Sequence, residues 1–438
     1  GCYNTAVGEA ALGSNTTANS NTAIGLCAMK NNTTGAGNAA VGAFALDANT
    51  TGANNVAMGE YALSSNTTAA ENTAVGYVAL STNTTGTSNA AFGRGALQVS
   101  TTASYNTAVG VNALNETTTG AQNTAIGAGA LDSNTTASYN VSIGQASMED
   151  NTTGSSNVAV GVDALKDNTT GASNTALGAF SLVGNTTGNN NIAVGKNVME
   201  ANTTADNNTA VGFESLKANT TGDLNTAVGM GAQFTSTTAA KTVSIGTYAN
   251  YRITTGSRNT SVGYNAGSQL TNGVENTYIG HLAGDTATSG FNNTAIGHEA
   301  DVSSAGVDNE FTLGNGSIAN LRCADTSISS LSDLRDKTNI EDIPHGLDFI
   351  NALRPVKFDW NTRDGTRVGK KDYGFIAQEL DQVEQDFGST EYTRLVHKDN
   401  AEKWEADPMK TYPILIKAIQ ELKAENDSLK TRIEALEE

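Results

Sequence analysis

The chain has 438 residues, of which 25 are Lys or Arg and 44 are Asp or Glu, so its net charge is −19. Such an acidic chain lacks the basic surface that displaces counterions from a phosphate backbone, and we expect no nucleic acid partner. The 3 cysteines show no CxxC spacing and no apolar run approaches the roughly 18 residues of a membrane span, which argues against a disulfide framework, a zinc site and membrane insertion.

Charge and special residues are unevenly distributed along the chain. Residues 1–331 hold 9 basic and 21 acidic side chains, whereas the shorter segment 332–438 holds 16 and 23. All 4 prolines and both tryptophans also lie in the second segment. This shift predicts a long repetitive domain followed by a smaller conventional one. Gly1 is not Met and falls inside a repeat, so we expect a longer protein whose anchor to a larger particle or cell lies upstream.

A glycine recurs every 17 residues from Gly8 to Gly314, without insertion or deletion. Counted from its opening Asn, a typical unit begins Asn-Thr-Ala-Val-Gly and continues with Ala-Leu at positions 8 and 9, and most units have Asn-Thr-Thr at positions 12 to 14. This period predicts one coil of a β-solenoid per unit over residues 1–315, in a mainly β fold with two short strands per coil. A helical alternative is disfavoured, because Gly, Asn and Thr are poor helix formers and no 3.6-residue period is present.

Two hydrophobic columns run through the repeat. Position 4 is a medium or large hydrophobe from Val7 to Leu313, and we expect it to line a continuous dry core. Position 9 is Leu or Met from Leu12 to Leu216, and position 3 is nearly always Ala or Ser, which predicts a close neighbour. The recurring Gly predicts a backbone with φ > 0 or no space for a Cβ. The Asn column at position 1 predicts a hydrogen-bonded ladder.

Two features of the repeat each allow two interpretations. From about Thr235 the position-9 column changes and aromatic residues enter, either as drift of the repeat or as a surface for a ligand such as a carbohydrate. The Asn-Thr-Thr turns are formally N-glycosylation acceptors, but Asn and Thr also satisfy turn backbones. The unit resembles the head repeats of trimeric adhesins of the left-handed β-roll type and repeats of phage tail fibres. That resemblance leaves open whether the chains coil separately or intertwine.

A second set of motifs begins after the junction 316–331. The chain reads Ser-Leu-Ser-Asp-Leu-Arg-Asp-Lys over 330–337, Leu-Arg-Pro-Val-Lys-Phe-Asp-Trp over 353–360 and Gly-Phe-Ile-Ala-Gln-Glu-Leu over 374–380. With the heptad helix that follows, these motifs resemble the intramolecular chaperone of phage endosialidases and tail spikes, the peptidase S74 family. The resemblance covers residues 332–438 and implies a domain of α+β type that trimerises the fibre.

The resemblance also implies that this domain cuts itself off at the Leu331–Ser332 bond, with Ser332 and Lys337 as catalytic residues and Asp333 and Glu379 as candidate supporting residues. A Ser hydroxyl needs a base, and a Lys serves as one only if burial or positive charge lowers its pKa. This predicts a single-turnover serine autoprotease with no cofactor and no metal, while the fibre is not an enzyme. The alternative is that Ser332 is a helix N-cap and Lys337 a solvated residue.

The last segment carries a heptad pattern that predicts a trimeric coiled coil over 409–438, after a chaperone and autoprotease domain over 332–408. Tyr412 begins one core position of the pattern, and Asn426, at that same position, is expected to fix register. The residues expected at the trimer interface are Leu415, Ile419, Leu422, Asn426, Leu429, Ile433 and Leu436.

Together these features predict a homotrimeric viral tail fibre or spike that lies on the virion and contacts a host cell-surface receptor, expected to be a glycan. The alternative is a trimeric adhesin on a bacterial cell surface, with the same self-processing chaperone. An enzyme that degrades polysaccharide is disfavoured, because the repeats offer no paired carboxylates in a cleft.

Overall fold

The computed structural model describes residues 1–318, 320–322, 332–362, 367–398 and 404–437. The chain divides into two compact units, Gly1–Leu313 and Gly314–Glu438. The finer boundaries expected at 331/332 and 408/409 stay predictions.

The first unit is a β-solenoid with one three-residue parallel strand in each of nineteen coils. Each strand pairs with the strand 17 residues further on, so that Thr5 lies opposite Thr22. The chain therefore coils on itself, and no helix occurs in residues 1–313. The strands are β1 Thr5–Val7, β2 Thr22–Ile24, β3 Ala39–Val41, β4 Val56–Met58, β5 Thr73–Val75, β6 Ala90–Phe92, β7 Thr107–Val109, β8 Thr124–Ile126, β9 Val141–Ile143, β10 Val158–Val160, β11 Thr175–Leu177, β12 Ile192–Val194, β13 Thr209–Val211, β14 Thr226–Val228, β15 Val243–Ile245, β16 Thr260–Val262, β17 Thr277–Ile279, β18 Thr294–Ile296 and β19 Phe311–Leu313.

The expected second strand of each coil is not formed. Position 9 instead adopts a left-handed backbone, with φ of 53° at Leu46, although its N–H still donates to the next coil at Ala62 O, 3.0 Å away. β-branched side chains rarely tolerate positive φ. This explains why the column from Leu12 to Leu216 consists of Leu and Met without Val or Ile.

The core of the solenoid is built from positions 3, 8 and 9. Ala40, Ala45 and Leu46 are fully buried, and their equivalents form one cluster that runs through the first fourteen coils. Position 4 is largely exposed, for example Ile126 at 40%. The expectation that position 4 lines the core of the single chain is therefore wrong. Side chains alternate along a strand, so the buried Ala at position 3 directs positions 2 and 4 outward.

The recurring Gly at position 5 meets both conditions that the repeat predicted. Gly42 has φ of 141°, a conformation that residues with a Cβ rarely adopt. A Cβ at Gly42 would also lie 2.5 Å from the carbonyl oxygen of Gly59 in the next coil. The corner is therefore closed to side chains by both conformation and space.

Two columns of buried Asn close most coils and join them to the next. Asn38, at position 1, donates from Nδ2 to Gly52 O at 2.9 Å and accepts from Asn55 N at 2.9 Å. Asn49, at position 12, donates to the same Gly52 O at 2.9 Å and to Asn32 Oδ1 at 2.8 Å. The predicted ladder at position 1 is thus present. The full burial of Asn49 favours the turn interpretation of the Asn-Thr-Thr motif, because a buried amide is inaccessible to a glycosyltransferase.

The second unit has four α-helices and two antiparallel strand pairs in its described parts. Phe349, Leu380, Leu395 and Ile414 form its buried core. Its elements are a 3-10 turn Leu334–Asp336, α1 Leu347–Ala352, β20 Val356–Asp359, β21 Lys371–Gly374, α2 Ala377–Asp386, α3 Thr390–Thr393, β22 Val396–His397, β23 Glu405–Ala406, a 3-10 turn Pro408–Thr411 and α4 Tyr412–Glu437.

Candidate autoproteolytic site

A short 3-10 turn, Leu334–Asp336, carries the residues of the first chaperone motif. Asp333 caps this turn, with its Oδ1 accepting from Arg335 N at 2.8 Å. The same carboxylate accepts from Arg335 Nε at 3.0 Å and Nη2 at 2.6 Å. These hydrogen bonds lower the pKa of Asp333 and raise that of Arg335. The acidic and basic residues of the motif therefore fold it into one tight turn.

The turn brings the two predicted catalytic residues together. Lys337 Nζ lies 2.6 Å from Ser332 Oγ and donates a hydrogen bond to it. This is the contact across which a neutral amine would accept the Ser332 proton. Both residues are exposed in the single chain. Leu331, the residue before the expected cleaved bond, lies outside the described residues.

The alternative role of Ser332 as an N-cap is wrong, because Asp333 holds the cap position. Ser332 Oγ is engaged by Lys337 rather than by the backbone of the turn. The Asp333 carboxylate accepts its hydrogen bonds from Arg335 and thereby holds the turn in place. None of these hydrogen bonds involves Ser332 or Lys337. Sequence reasoning named Asp333 only as a candidate supporting residue. Its role as the N-cap of the turn is evident only from the structure.

Glu379, the other candidate supporting residue, forms an ion pair in a different motif. Its Oε2 accepts from Arg354 Nε at 2.9 Å and its Oε1 from Arg354 Nη2. These hydrogen bonds lower the pKa of Glu379. The pair brings the second and third chaperone motifs to one small cavity, about 160 Å³ in volume. The cavity is lined by Ala352, Leu353, Arg354, Phe375, Ile376, Glu379, Leu380 and Val383.

Helix α4 presents two faces. Ile414 and Ala418 are buried on the face towards α1, and Glu421 Oε2 accepts from Leu347 N at 2.7 Å. Sequence reasoning missed Glu421, because its partner lies 74 residues away and no local pattern marks the contact. The other face carries the predicted interface residues. They range from the partly buried Leu415 through the exposed Ile419, Leu422, Asn426, Leu429 and Ile433 to Leu436, which is 86% exposed.

The aromatic residues of the later coils form stacks. Tyr264, His281 and His298 lie in consecutive coils, with ring centroids 5.3 and 5.0 Å apart and interplanar angles of 17° and 5°. Phe234 and Tyr251 stack in the same way at 5.1 Å. Because its neighbours cover both faces of its ring, His281 offers mainly its edge to a ligand. A glycan receptor site on this tract stays a prediction.

Neither a metal site nor a membrane span is found in the described ranges. Within them, no group of three or more His, Cys, Asp or Glu side chains is arranged to hold a metal ion. Helices of the length and apolar character that a membrane span requires are also absent from those ranges.

The segment around Ser332 and Lys337 is similar to a known family. Residues 332–389 match the family model for the chaperone of endosialidase, peptidase S74. No curated protein matches the chain. A β-solenoid followed by this chaperone segment fits a tail-fibre-like or spike-like protein. The family implies trimeric assembly and a phage or extracellular setting.

Proposed function

We propose that this chain is a homotrimeric tail fibre or spike of a virion, which contacts a host surface receptor and matures by self-cleavage. The C-terminal chaperone aligns three chains and then cuts the Leu331–Ser332 bond. The observation that carries the proposal is the 2.6 Å contact between Lys337 Nζ and Ser332 Oγ inside the segment that matches the chaperone family.

Cleavage proceeds as an acyl shift followed by hydrolysis. The Lys337 amine takes the proton of Ser332 Oγ, and the oxygen attacks the Leu331 carbonyl carbon. The C–N bond breaks, the Ser332 nitrogen leaves as an amine after gaining a proton, and Leu331 is held as an ester on Ser332 Oγ. Water then hydrolyses the ester, which gives a carboxylate at Leu331 and restores the hydroxyl.

Assembly supplies what the single chain lacks for this reaction. A Lys acts as a base when burial or neighbouring positive charge disfavours its charged form. Ser332 and Lys337 are exposed in the single chain, so neighbouring chains would have to cover them. Cleavage therefore follows trimerisation, and this order prevents release of an unassembled fibre.

Two surfaces without charged residues support assembly with further copies of the chain. One is the heptad face of α4, described above. The other is a stripe made by positions 2 and 4 of all nineteen coils, which contain no charged residue. At about 4.8 Å per coil and about 3.3 Å per residue, the stripe measures roughly 90 by 10 Å. This is comparable to the area that each partner of a specific complex buries, about 800 Å².

Intact mass under denaturing conditions tests the cleavage. The parent chain is expected to yield fragments 1–331 and 332–438, whereas Ser332→Ala and Lys337→Ala are expected to remain whole. Lys371→Ala is the matched control, because it removes another exposed Lys of the same unit and should leave cleavage intact. An uncleaved parent, or cleavage that persists in Ser332→Ala, would contradict the proposed chemistry.

Sedimentation of the chain tests the assembly separately. The uncleavable Ser332→Ala protein is expected to sediment as a trimer. Replacing two stripe residues, Val109→Glu and Ile126→Glu, should weaken association of the released fibre without unfolding its coils. Thr119→Glu adds a charge at an exposed turn position outside the stripe and serves as the control. A monomeric Ser332→Ala protein would overturn the trimer.

A further inference from the structure

The solenoid contains two hydrophobic cores. The first consists mainly of Ala, Leu and Met and ends at Ala232. The second begins at Ala239 and includes Ile253, Leu270 and Tyr278. The coils of the second core keep the 17-residue strand register without a break, since β15 pairs with β16 and β16 with β17 in step. The two cores therefore differ in side chains and share one backbone.

Positions 9 and 12 exchange their chemistry between the two cores. In the first core position 9 is Leu or Met, and position 12 is mostly Asn, such as Leu182 and Asn185. In the second core position 9 becomes Asn250 or Gly267, while position 12 becomes Ile253 or Leu270. All four of these residues are buried. The exchange places polar groups where the first core is apolar, and apolar groups where the first core has its Asn ladder.

A polar network separates the two cores. Gln233 Nε2 donates to Thr242 Oγ1 at 3.0 Å, and Ser244 Oγ donates to Gln233 Oε1 at 3.2 Å. Asn250 Nδ2 donates to Ser244 Oγ at 2.8 Å, and Ser261 Oγ donates to Asn250 Oδ1 at 2.8 Å. Every one of these side chains is buried. Three of these hydrogen bonds join neighbouring coils, and the bond from Asn250 to Ser244 lies within one coil. Another order of stacking would leave buried polar atoms without partners.

Tyr278 adds a steric restriction. It stands at position 3, where the first core has Ala or, in one coil, Ser142, and it is fully buried. Its ring fits because position 9 is Gly both in the preceding coil and in its own coil: a Cβ at Gly267 would lie 3.1 Å from Tyr278 Cδ2, and a Cβ at Gly284 would overlap the ring. A Leu or Asn at either position would occupy the space of the ring.

We propose that residues 233–284 form a register key, a stretch of the solenoid in which each coil accepts only its own neighbour. Most coils of the first core can exchange neighbours, because Leu stacks on Leu or Met and Asn stacks on Asn, with Ser100 and Thr117 as the exceptions at position 12. A chain that skipped a coil there would bury similar contacts. Within the register key a skipped coil leaves unpaired polar groups and a clash at Tyr278. The key thereby fixes the stacking phase of a repetitive chain, independently of any cleavage by the chaperone.

Deleting one whole period tests this inference in the full-length chain. Deletion of 174–190 brings Leu165 next to Met199 and Asn168 next to Asn202, which repeats the normal contacts. Deletion of 259–275 removes Ser261 and Gly267, and it places Asn250 against the Tyr278 ring. Both deletions remove 17 residues and keep the strand phase, so each is a control for the other.

The thermal unfolding midpoint of the solenoid, followed by circular dichroism, is the readout. Deletion of 174–190 is expected to shift it by less than about 2 °C, and deletion of 259–275 to lower it by about 5 to 10 °C. Equal shifts would overturn the register key, because they would mean that all coils are interchangeable.

The substitution Asn250→Gly tests the inference even if the 259–275 deletion folds poorly, because its expected effect on the unfolding midpoint has opposite signs in the full chain and in that deletion. In the full chain, Asn250→Gly breaks the hydrogen bonds to Ser244 and Ser261 and should lower the midpoint. In the 259–275 deletion it makes room for Tyr278 and removes an unpaired oxygen, so it should raise the midpoint or restore folding. The same sign in both backgrounds would refute the inference.

Discussion

The solenoid and the C-terminal unit are held together by contacts of different range. In the solenoid, bonds such as Asn55 N to Asn38 Oδ1 join residues 17 apart and recur in coil after coil. In the C-terminal unit, Leu347 N reaches Glu421 across 74 residues. Damage to a stack of near-identical interfaces should stay local, whereas the loss of one distant contact can loosen several elements. The expected outcomes below test this difference.

The largest effect is expected at a glycine corner. Gly144 has φ of 138°, and a Cβ there would lie 2.6 Å from Gly161 C in the next coil. Gly144→Val should therefore lower the free energy of unfolding of its coils by about 4 kcal/mol. Hydrogen exchange read by mass spectrometry should show lost protection in the coils around residue 144 and normal protection in distant coils.

Gly129→Ala is the matched control for this corner. Gly129 also has positive φ, 67°, but the nearest atom to an added Cβ is Glu149 Oε1 at 3.9 Å. The substitution therefore incurs only the cost of placing a residue with a Cβ at positive φ, about 1 to 2 kcal/mol of stability. If both variants lost the same stability, close stacking of the coils would not be the reason for the glycine column.

A smaller effect is expected in the Asn ladder. Asn168 Nδ2 donates to Asn151 Oδ1 at 2.7 Å, and Asn168 Oδ1 accepts from Asn185 Nδ2 at 2.8 Å. Asn168→Leu leaves a buried acceptor and a buried donor with fewer partners, which should cost about 2 kcal/mol in a denaturant titration. Thr170→Ala, at an exposed position of the same turn, should change stability by less than about 0.5 kcal/mol. Unchanged stability of the Asn168→Leu variant would show that packing of the coils on one another holds the turn without the Asn hydrogen bonds.

Acid should unfold the two units at different pH values. In the solenoid, burial raises the pKa of Asp132, Asp167 and Asp301, although hydrogen bonding from Lys217 lowers that of Glu214. A carboxyl with a raised pKa binds its proton more tightly when folded. The three Asp residues therefore favour folding more as the pH falls from neutrality towards their ordinary value of 3.8.

The exposed carboxylates of the C-terminal unit act in the opposite direction. Hydrogen bonds lower the pKa of Asp333, Asp372 and Glu379, with Trp360 Nε1 as the main donor to Asp372. Their contribution to the stability of the unit is fully present when the pH is above their ordinary pKa values of 3.8 and 4.5. It is lost as the pH falls through their lower pKa values in the folded state. Both tryptophans lie in this unit, so their fluorescence should report an acid transition before the strand signal of the solenoid changes. The reverse order would contradict this assignment.

The same difference of range explains what the sequence could predict. The period, the φ of Gly42 and the Asn38 ladder repeat at one spacing, so patterns reveal them. The pairing of Lys337 with Ser332 was expected from the family resemblance, because a Ser and a Lys five residues apart are too common to predict it by spacing. The direction of position 4 was predicted wrongly, because a column of Val and Ile matches either a core or an exposed stripe. The burial of Ala40, the preceding residue on the strand, shows that the position 4 side chain points outward. Glu421 escaped prediction because nothing in a helical heptad marks one Glu as the cap of a distant helix.

The smallest effect is expected at this distant cap. Glu421 Oε2 accepts from Leu347 N at 2.7 Å, and the absence of a Cβ at Gly346 lets the carboxylate approach. Glu421→Ala should destabilise the C-terminal unit by about 1 kcal/mol, the usual cost of losing an N-cap, while Glu425→Ala on an exposed part of the same helix should have no effect. Tryptophan fluorescence during denaturant unfolding measures the loss, and the strand signal should not move. A shift in both signals would mean that the two units unfold as one.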